Sequence, residues 1–104
     1  MKNFLTKQEN VIKEVINSLG YKVEEVSLIP SSRKEFGDYQ YNGVMSIAKE
    51  AHKNPREIAE EICNKLNEHS DFVNVNVAGP GFINISFSDK SLINYVNELN
   101  EDIN

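Results

Sequence analysis

Apolar residues return at two different periods along this chain, and the change of period divides it into elements. Phe4, Leu5, Val11, Ile12, Val15, Ile16 and Leu19 recur at helical spacing and fill one face, so a helix is expected over about residues 3–19. Thr6 and Glu9 have capping-box spacing and offer a later start. Gly20 is suited to end the helix, because it can take the left-handed conformation a C-cap asks for. Val26, Leu28 and Ile29 then read as a short strand stopped by Pro30. After a polar connection, Asp38 is placed to cap a second helix that turns Val44, Met45, Ile47 and Ala48 inward. Asn54-Pro55-Arg56-Glu57 is the clearest start signal. Asn54 is a good N-cap, Pro55 suits the first helical position, and Glu57 completes the box. The third helix runs to about Glu68 and buries Ile58, Ala59, Ile62 and Leu66.

From residue 73 the period falls to two. Two alternating runs flank Gly79-Pro80-Gly81, which predicts a hairpin. With those three residues as the connection, Val77 faces Ile83, Val75 faces Ile85 and Val73 faces Phe87. On the other side Ala78 faces Phe82, Asn76 faces Asn84 and Asn74 faces Ser86. Every pair keeps its polarity, which supports the register. Pro80 with Gly81 suits a type II turn. Ser88 or Asp89 then caps a last helix carrying Leu92, Ile93, Val96 and Leu99. The expected order is α-β-α-α-β-β-α, an α+β fold in which helices cover one face of a small, mainly antiparallel sheet of three or four strands. The other sheet face is left open.

Composition narrows the function. The 104 residues suit a single domain spanning 1–104. Cys63 is the only cysteine, so no internal disulfide can form. With no signal-peptide pattern, a reducing cytoplasmic setting is expected. No apolar run approaches the ~20 residues that span a bilayer. The net charge of −5 argues against a free-standing nucleic-acid binder. Its distribution softens that objection. Residues 1–87 carry 10 Lys and Arg against 12 Asp and Glu, whereas residues 88–104 carry Lys90 against four acids.

The chemistry on offer is modest. GPG lacks the length and the following helix of a dinucleotide fingerprint. Cys63, His52 and His69 fit no zinc spacing, so no metal site is expected. No nucleophile–base pairing stands out, so catalysis is not expected of this chain. The polar face of the hairpin is different, because it carries Phe82. Phe82 and Asn84 point the same way, roughly 6.5–7 Å apart along the strand. A flat ring can stack on an unpaired base, and an amide offers both a donor and an acceptor to a base edge. Shielding of Phe82 by a helix, with Asn84 merely solvated, is the competing expectation.

Residues 35–62, EFGDYQYNGVMSIAKEAHKNPREIAEEI, and 75–89, VNVAGPGFINISFSD, resemble the N-terminal additional domain of arginyl-tRNA synthetases. FGDYQ, NPREIAE and AGPGFIN occur in that family's order and spacing, and the resemblance covers nearly the whole chain. It implies a tRNA-binding appended domain that contacts the outer corner of tRNA, where the D-loop lies. It implies that Phe82 stacks on a D-loop base and that Asn84 hydrogen-bonds it. Gly79 falls where some relatives carry a contacting asparagine, and glycine offers only its backbone there. Asn76, Tyr39 and Gln40 are candidate secondary contacts. Phe36, Gly37, Asp38, Asn54, Pro55, Pro80 and Gly81 form the structural part of the motifs. The HIGH-like and KMSKS-like motifs of a class I catalytic domain do not occur in this sequence. The resemblance therefore places ATP and Mg in a catalytic domain absent from this chain, and no cofactor is expected here. A protein-interaction module that docks its open sheet face or helices on another domain or subunit is the main alternative. A small-molecule-binding domain is a weaker one.

Overall fold

The computed structural model describes residues 2–32 and 37–103. Phe36 lies outside the described residues. The elements are α1 (Lys2–Ser18), β1 (Leu28–Pro30), β2 (Tyr39–Tyr41), α2 (Val44–Ala51), α3 (Pro55–Glu68), β3 (Phe72–Ala78), β4 (Phe82–Phe87) and α4 (Asp89–Ile103). The strands form one antiparallel sheet in the order β1-β2-β4-β3. The fold is α+β, as the alternation predicts, with one strand more than the expected order.

The extra strand is β2. Three residues are too few to display a period, but Tyr39, Gln40 and Tyr41 pair with Ile85, Asn84 and Ile83 on one side. On the other side they pair with Pro30, Ile29 and Leu28. This corrects the role expected of Asp38. Its backbone N–H donates to the Ile85 carbonyl at 3.1 Å and leads the chain into β2. Helix α2 begins six residues later, after Gly43, with no side-chain cap. Met45 is also not inward; it is 43% exposed, while Val44, Ile47 and Ala48 are buried. Gly37 keeps its expected structural place. At φ +111° a Cβ there would stand 3.1 Å from Ser86 Oγ and 3.2 Å from the Ile85 carbonyl oxygen.

The helices follow their apolar stripes. In α1, Phe4, Ile12 and Ile16 are buried, and Leu5, Val11, Val15 and Leu19 pack at the edge of the core. Thr6 and Glu9 lie inside α1 and do not start it. The Glu9 carboxylate instead accepts the Leu28 N–H at 2.8 Å, pinning the entry to β1. Gly20 follows α1 at φ +98°. Helix α3 starts as its sequence dictates, with Asn54 Oδ1 accepting the Arg56 N–H at 2.8 Å and Pro55 in the first turn. Its buried Ile58, Ala59, Ile62, Cys63 and Leu66 join Phe72, Val75, Ile83 and Ile85 in the core.

The hairpin keeps the expected register only near its turn. Asn76 pairs with Asn84, Val77 with Ile83 and Ala78 with Phe82, but further down Val73 pairs with Ser86 and Phe72 with Phe87. One extra residue in β3 forms a bulge, and Asn74 takes φ +53° there, a conformation asparagine tolerates well. The slip reverses the faces beyond it. Phe72 turns into the core at 3% exposure, and Val73, expected inside, is 40% exposed. The Asn67 side chain of α3 meets the disrupted backbone: Nδ2 donates to the Val75 carbonyl at 2.8 Å, and Oδ1 accepts its N–H at 3.2 Å. A helix side chain thus satisfies what the bulge takes out of the ladder.

Helix α4 is capped by Ser88, whose Oγ accepts the Ser91 N–H at 3.1 Å. Tyr95 sets its ring edge on Phe4, with centroids 5.3 Å apart. Contrary to the inward stripe its spacing suggests, Ile93, Val96 and Leu99 are exposed.

Candidate nucleic-acid interface

The turn that presents the site is built from two glycines and a helix end. The Gly81 N–H donates to the Ala78 carbonyl at 3.4 Å, which places Gly79, at φ +56°, first between them. This differs from the type II turn that Pro80-Gly81 suggests. Left-handed φ at the first central position belongs to the primed hairpin turns, whose twist matches the strands. Gly81 has φ +152°, and a Cβ there would stand 3.0 Å from Pro55 Cβ. Arg56 donates from a guanidinium nitrogen to the Gly79 carbonyl at 2.7 Å. The N-terminal turn of α3 therefore holds the GPG turn from beneath. Sequence reasoning did not single out Arg56, and its place beside Pro55 in the cap motif was the one available signal.

Phe82 begins β4 beside this turn. Ile83 and Ile85 are fully buried on the core side, so Phe82 and Asn84 face the other way. Phe82 is half-buried and stands outside the set of side chains packed against the core. Its neighbours leave room: Ala78 is its cross-strand partner, and a Cβ added at Gly79 would lie 3.8 Å from its ring.

Asn84 is not the solvated amide the alternation suggests, since it is only 3% exposed. Lateral neighbours cover it because β4 is a central strand. Its Oδ1 accepts from Gln40 Nε2 at 3.2 Å, and its Nδ2 donates to Asn76 Oδ1 at 3.1 Å. Asn76 in turn donates from Nδ2 to the Asn74 carbonyl at 2.9 Å. A row of amides thus crosses β2, β4 and β3 beside the ring. Gln40 is half-buried and Asn76 exposed, so the row is reached at its two ends.

Tyr39 does not join this face. It points inward, packs against the core and sets its ring 5.5 Å from Phe87. Tyr41 is buried on the same inner side, and burial raises its hydroxyl pKa above the ordinary value. Cys63 is buried in α3. Desolvation, then the nearby Glu60 charge, push its thiol up to about 12, so it stays protonated at neutral pH. Among the described residues no group of three or more His, Cys, Asp or Glu could hold a metal ion. A concavity of about 630 Å³ is lined by residues that include Lys22, Glu24, Glu25, Ser46 and Glu50, and by neither Phe82 nor Asn84. No helix among the described residues is long and apolar enough to cross a membrane.

A capped helix locking a glycine turn, with a ring and an amide row on an open antiparallel sheet, defines a small α+β domain with one built surface. Known proteins resemble the chain in sequence and fold. Residues 6–87 match the family model described as the arginyl tRNA synthetase N terminal domain. Arginine–tRNA ligase of Picosynechococcus is 35% identical over 104 residues, covering 97% of this chain and 18% of that protein. The corresponding ligase of Prochlorococcus marinus is 47% identical over 74 residues, covering 67% of this chain and 12% of that protein. That of Thermotoga maritima is 46% identical over 83 residues, covering 78% and 15%. Among solved structures, Thermus thermophilus arginyl-tRNA synthetase superimposes with a TM-score of 0.68 at 22% identity, over 88% of this chain and 15% of that one. The Plasmodium falciparum enzyme gives 0.67 at 24% identity, over 83% and 16%. The chain belongs to the family of arginyl-tRNA synthetase N-terminal domains, and it spans less than a fifth of each of these relatives.

Proposed function

We propose that this chain is the tRNA-binding appended domain of an arginine–tRNA ligase, and that its open sheet face meets the outer corner of tRNA at the D-loop. An unpaired base stacks on Phe82, and the amide row hydrogen-bonds its edge. The observation that carries this reading is a half-buried ring on a polar sheet face, outside the core and beside amides already fixed in place. A ring buried for stability would sit with Ile83 and Ile85. The domain supplies no chemistry of its own. It holds the tRNA in register while a class I catalytic domain, using ATP and Mg, charges the distant 3′ end. The net charge of −5 fits a division of labour in which basic surface elsewhere in the ligase supplies most of the phosphate affinity.

The test is Phe82→Ala in the ligase that carries this domain. Loss of a stacked base is worth about 1–3 kcal/mol, so the KM for tRNA rises roughly five- to a hundredfold, with amino-acid activation little changed. Phe82→Tyr, which keeps the ring face, stays near the parent. An unaltered KM in Phe82→Ala counts against the proposal.

The exposed Ile93, Val96 and Leu99 favour a second, compatible contact, in which α4 docks on another domain of the ligase or on a partner subunit. Amide shifts tell the two surfaces apart: tRNA moves residues 79–86, and a protein partner moves α4.

A further inference from the structure

Tyr41 is 3% exposed, and its ring belongs to the core. Its hydroxyl does not. A buried tyrosine O–H ordinarily finds a partner, yet this one makes no hydrogen bond among the described residues. Gly43 keeps it uncovered. The φ of −83° at Gly43 would suit any residue, so the backbone does not ask for glycine there. A Cβ at that position would overlap the hydroxyl and stand 2.6 Å from Tyr41 Cζ. Tyr41 and Gly43 both line the cleft of about 630 Å³, so the missing side chain opens the hydroxyl into it. The cleft runs between residues 22–27, which lead into β1, and the junction of β2 with α2. Val23 and Ile47 give it an apolar wall. Glu24 and Glu25 stand on one side and Glu50 of α2 on the other, against Lys22. The three carboxylates are exposed and enter no ion pair or hydrogen bond among the described residues. Nor do they converge closely enough to hold a metal ion. They form a rim around the hydroxyl, with their charges spread along it.

We infer that this cleft binds a small aliphatic di- or polyamine, with one ammonium group on the Tyr41 hydroxyl and the remaining positive charge along the glutamate rim. Each part of such a ligand answers a part of the wall. An ammonium group carries only donors, and a phenol oxygen can accept one of them. Burial holds the Tyr41 pKa above its ordinary value, so the hydroxyl stays neutral at physiological pH. The alkyl chain lies on Val23 and Ile47. Separated carboxylates match separated charges, which a single metal ion does not offer. Three acids against one lysine disfavour an anion. A cleft of this size suits a whole small molecule. The site is apart from the ring and the amide row, because Tyr41 turns to the inner side of β2 and Phe82 to the outer side of β4. It stands or falls independently of the tRNA reading.

NMR titration of the full chain with putrescine, at physiological ionic strength, tests this. Saturable amide shifts are expected within residues 22–27 and 41–50. Butanediol and succinate keep the four-carbon length without the positive charge, and neither is expected to bind. Tyr41→Phe keeps the ring and is expected to weaken putrescine binding about tenfold or more, the worth of one hydrogen bond to a charged group. The urea midpoint of that variant should stay level or rise, because no partner in the fold loses a bond. Glu50→Gln, which removes one exposed charge, is expected to weaken binding about two- to fivefold. Shifts spread over acidic residues along the whole chain, undiminished in Tyr41→Phe, would mark counter-ion accumulation on a chain of net charge −5 and overturn the inference. The absence of a saturable response to putrescine, or an equal response to butanediol or succinate, does the same. So does a lowered urea midpoint in Tyr41→Phe, since the hydroxyl would then serve the fold rather than a ligand.

Discussion

The two faces of β4 hold buried residues by different means. On the inner face Ile83 and Ile85 are at 0% exposure because helices and neighbouring strands close over them. On the outer face Asn84 is almost as inaccessible, yet what covers it is a pair of flanking amides. Apolar burial is non-directional and tolerates any good fit, whereas an amide row works only in one orientation. The inner face therefore stabilises the sheet, and the outer face specifies a pattern of donors and acceptors. The same strand can do both because its residues alternate sides.

That contrast breaks most sharply at Ile85. Ile85→Ala opens a cavity in the core and should cost about 2–5 kcal/mol of unfolding free energy. Urea denaturation would show a large fall in midpoint, against a small one for Phe82→Ala on the opposite face. Similar losses at the two sites would mean that Phe82 is a core residue after all. The next largest effect is expected where the two faces meet, at the turn. Gly81→Ala adds a Cβ 3.0 Å from Pro55 at a φ of +152°. About 1–3 kcal/mol should be lost to strain, with amide shifts spreading to Asn54 and Arg56. A neutral result would separate the turn from α3.

The last effect, absent at neutral pH, sharpens the inner face alone. The Cys63 thiol is raised from 9.0 to about 12 by burial first and by Glu60 second. Between those values the unfolded chain has released its proton and the folded chain has not. Stability from this group is complete below pH 9 and drains as pH climbs toward 12, by about 1 kcal/mol per pH unit. Cys63→Ala should flatten that part of the stability profile. In the parent chain, labelling of Cys63 by a thiol reagent at pH 8 should be slow and limited by opening of the core. Rapid labelling of folded protein would contradict the burial.

Features written in neighbouring residues were open to reading from the chain. Asn54-Pro55 specifies the start of α3 because a cap and its helix are a few residues apart. The hairpin register near Gly79-Pro80-Gly81 follows from matched alternation, and Asn76, Asn84 and Phe82 were placed on one face by it. Features that depend on distant partners were not. Asp38 has the form of a cap, but an Ile85 carbonyl from the other end of the chain claims its N–H. Ile93, Val96 and Leu99 have the spacing of a core stripe, yet no described element covers them.

By itself the sequence determined the helices, the hairpin, the glycine turn and the side of the sheet on which the ring stands, because propensity, capping and period are local properties. Tertiary structure alone decided that β2 lies beside β4, so that Gln40 meets Asn84, and that β3 bulges at Asn74, so that the amides acquire a direction. The first joins Gln40 to Asn84 across most of the sheet-forming chain, and the second rests on the preceding helix, whose Asn67 clasps Val75; no spacing rule reaches either, and both are settled by the need to satisfy polar groups once the sheet has closed.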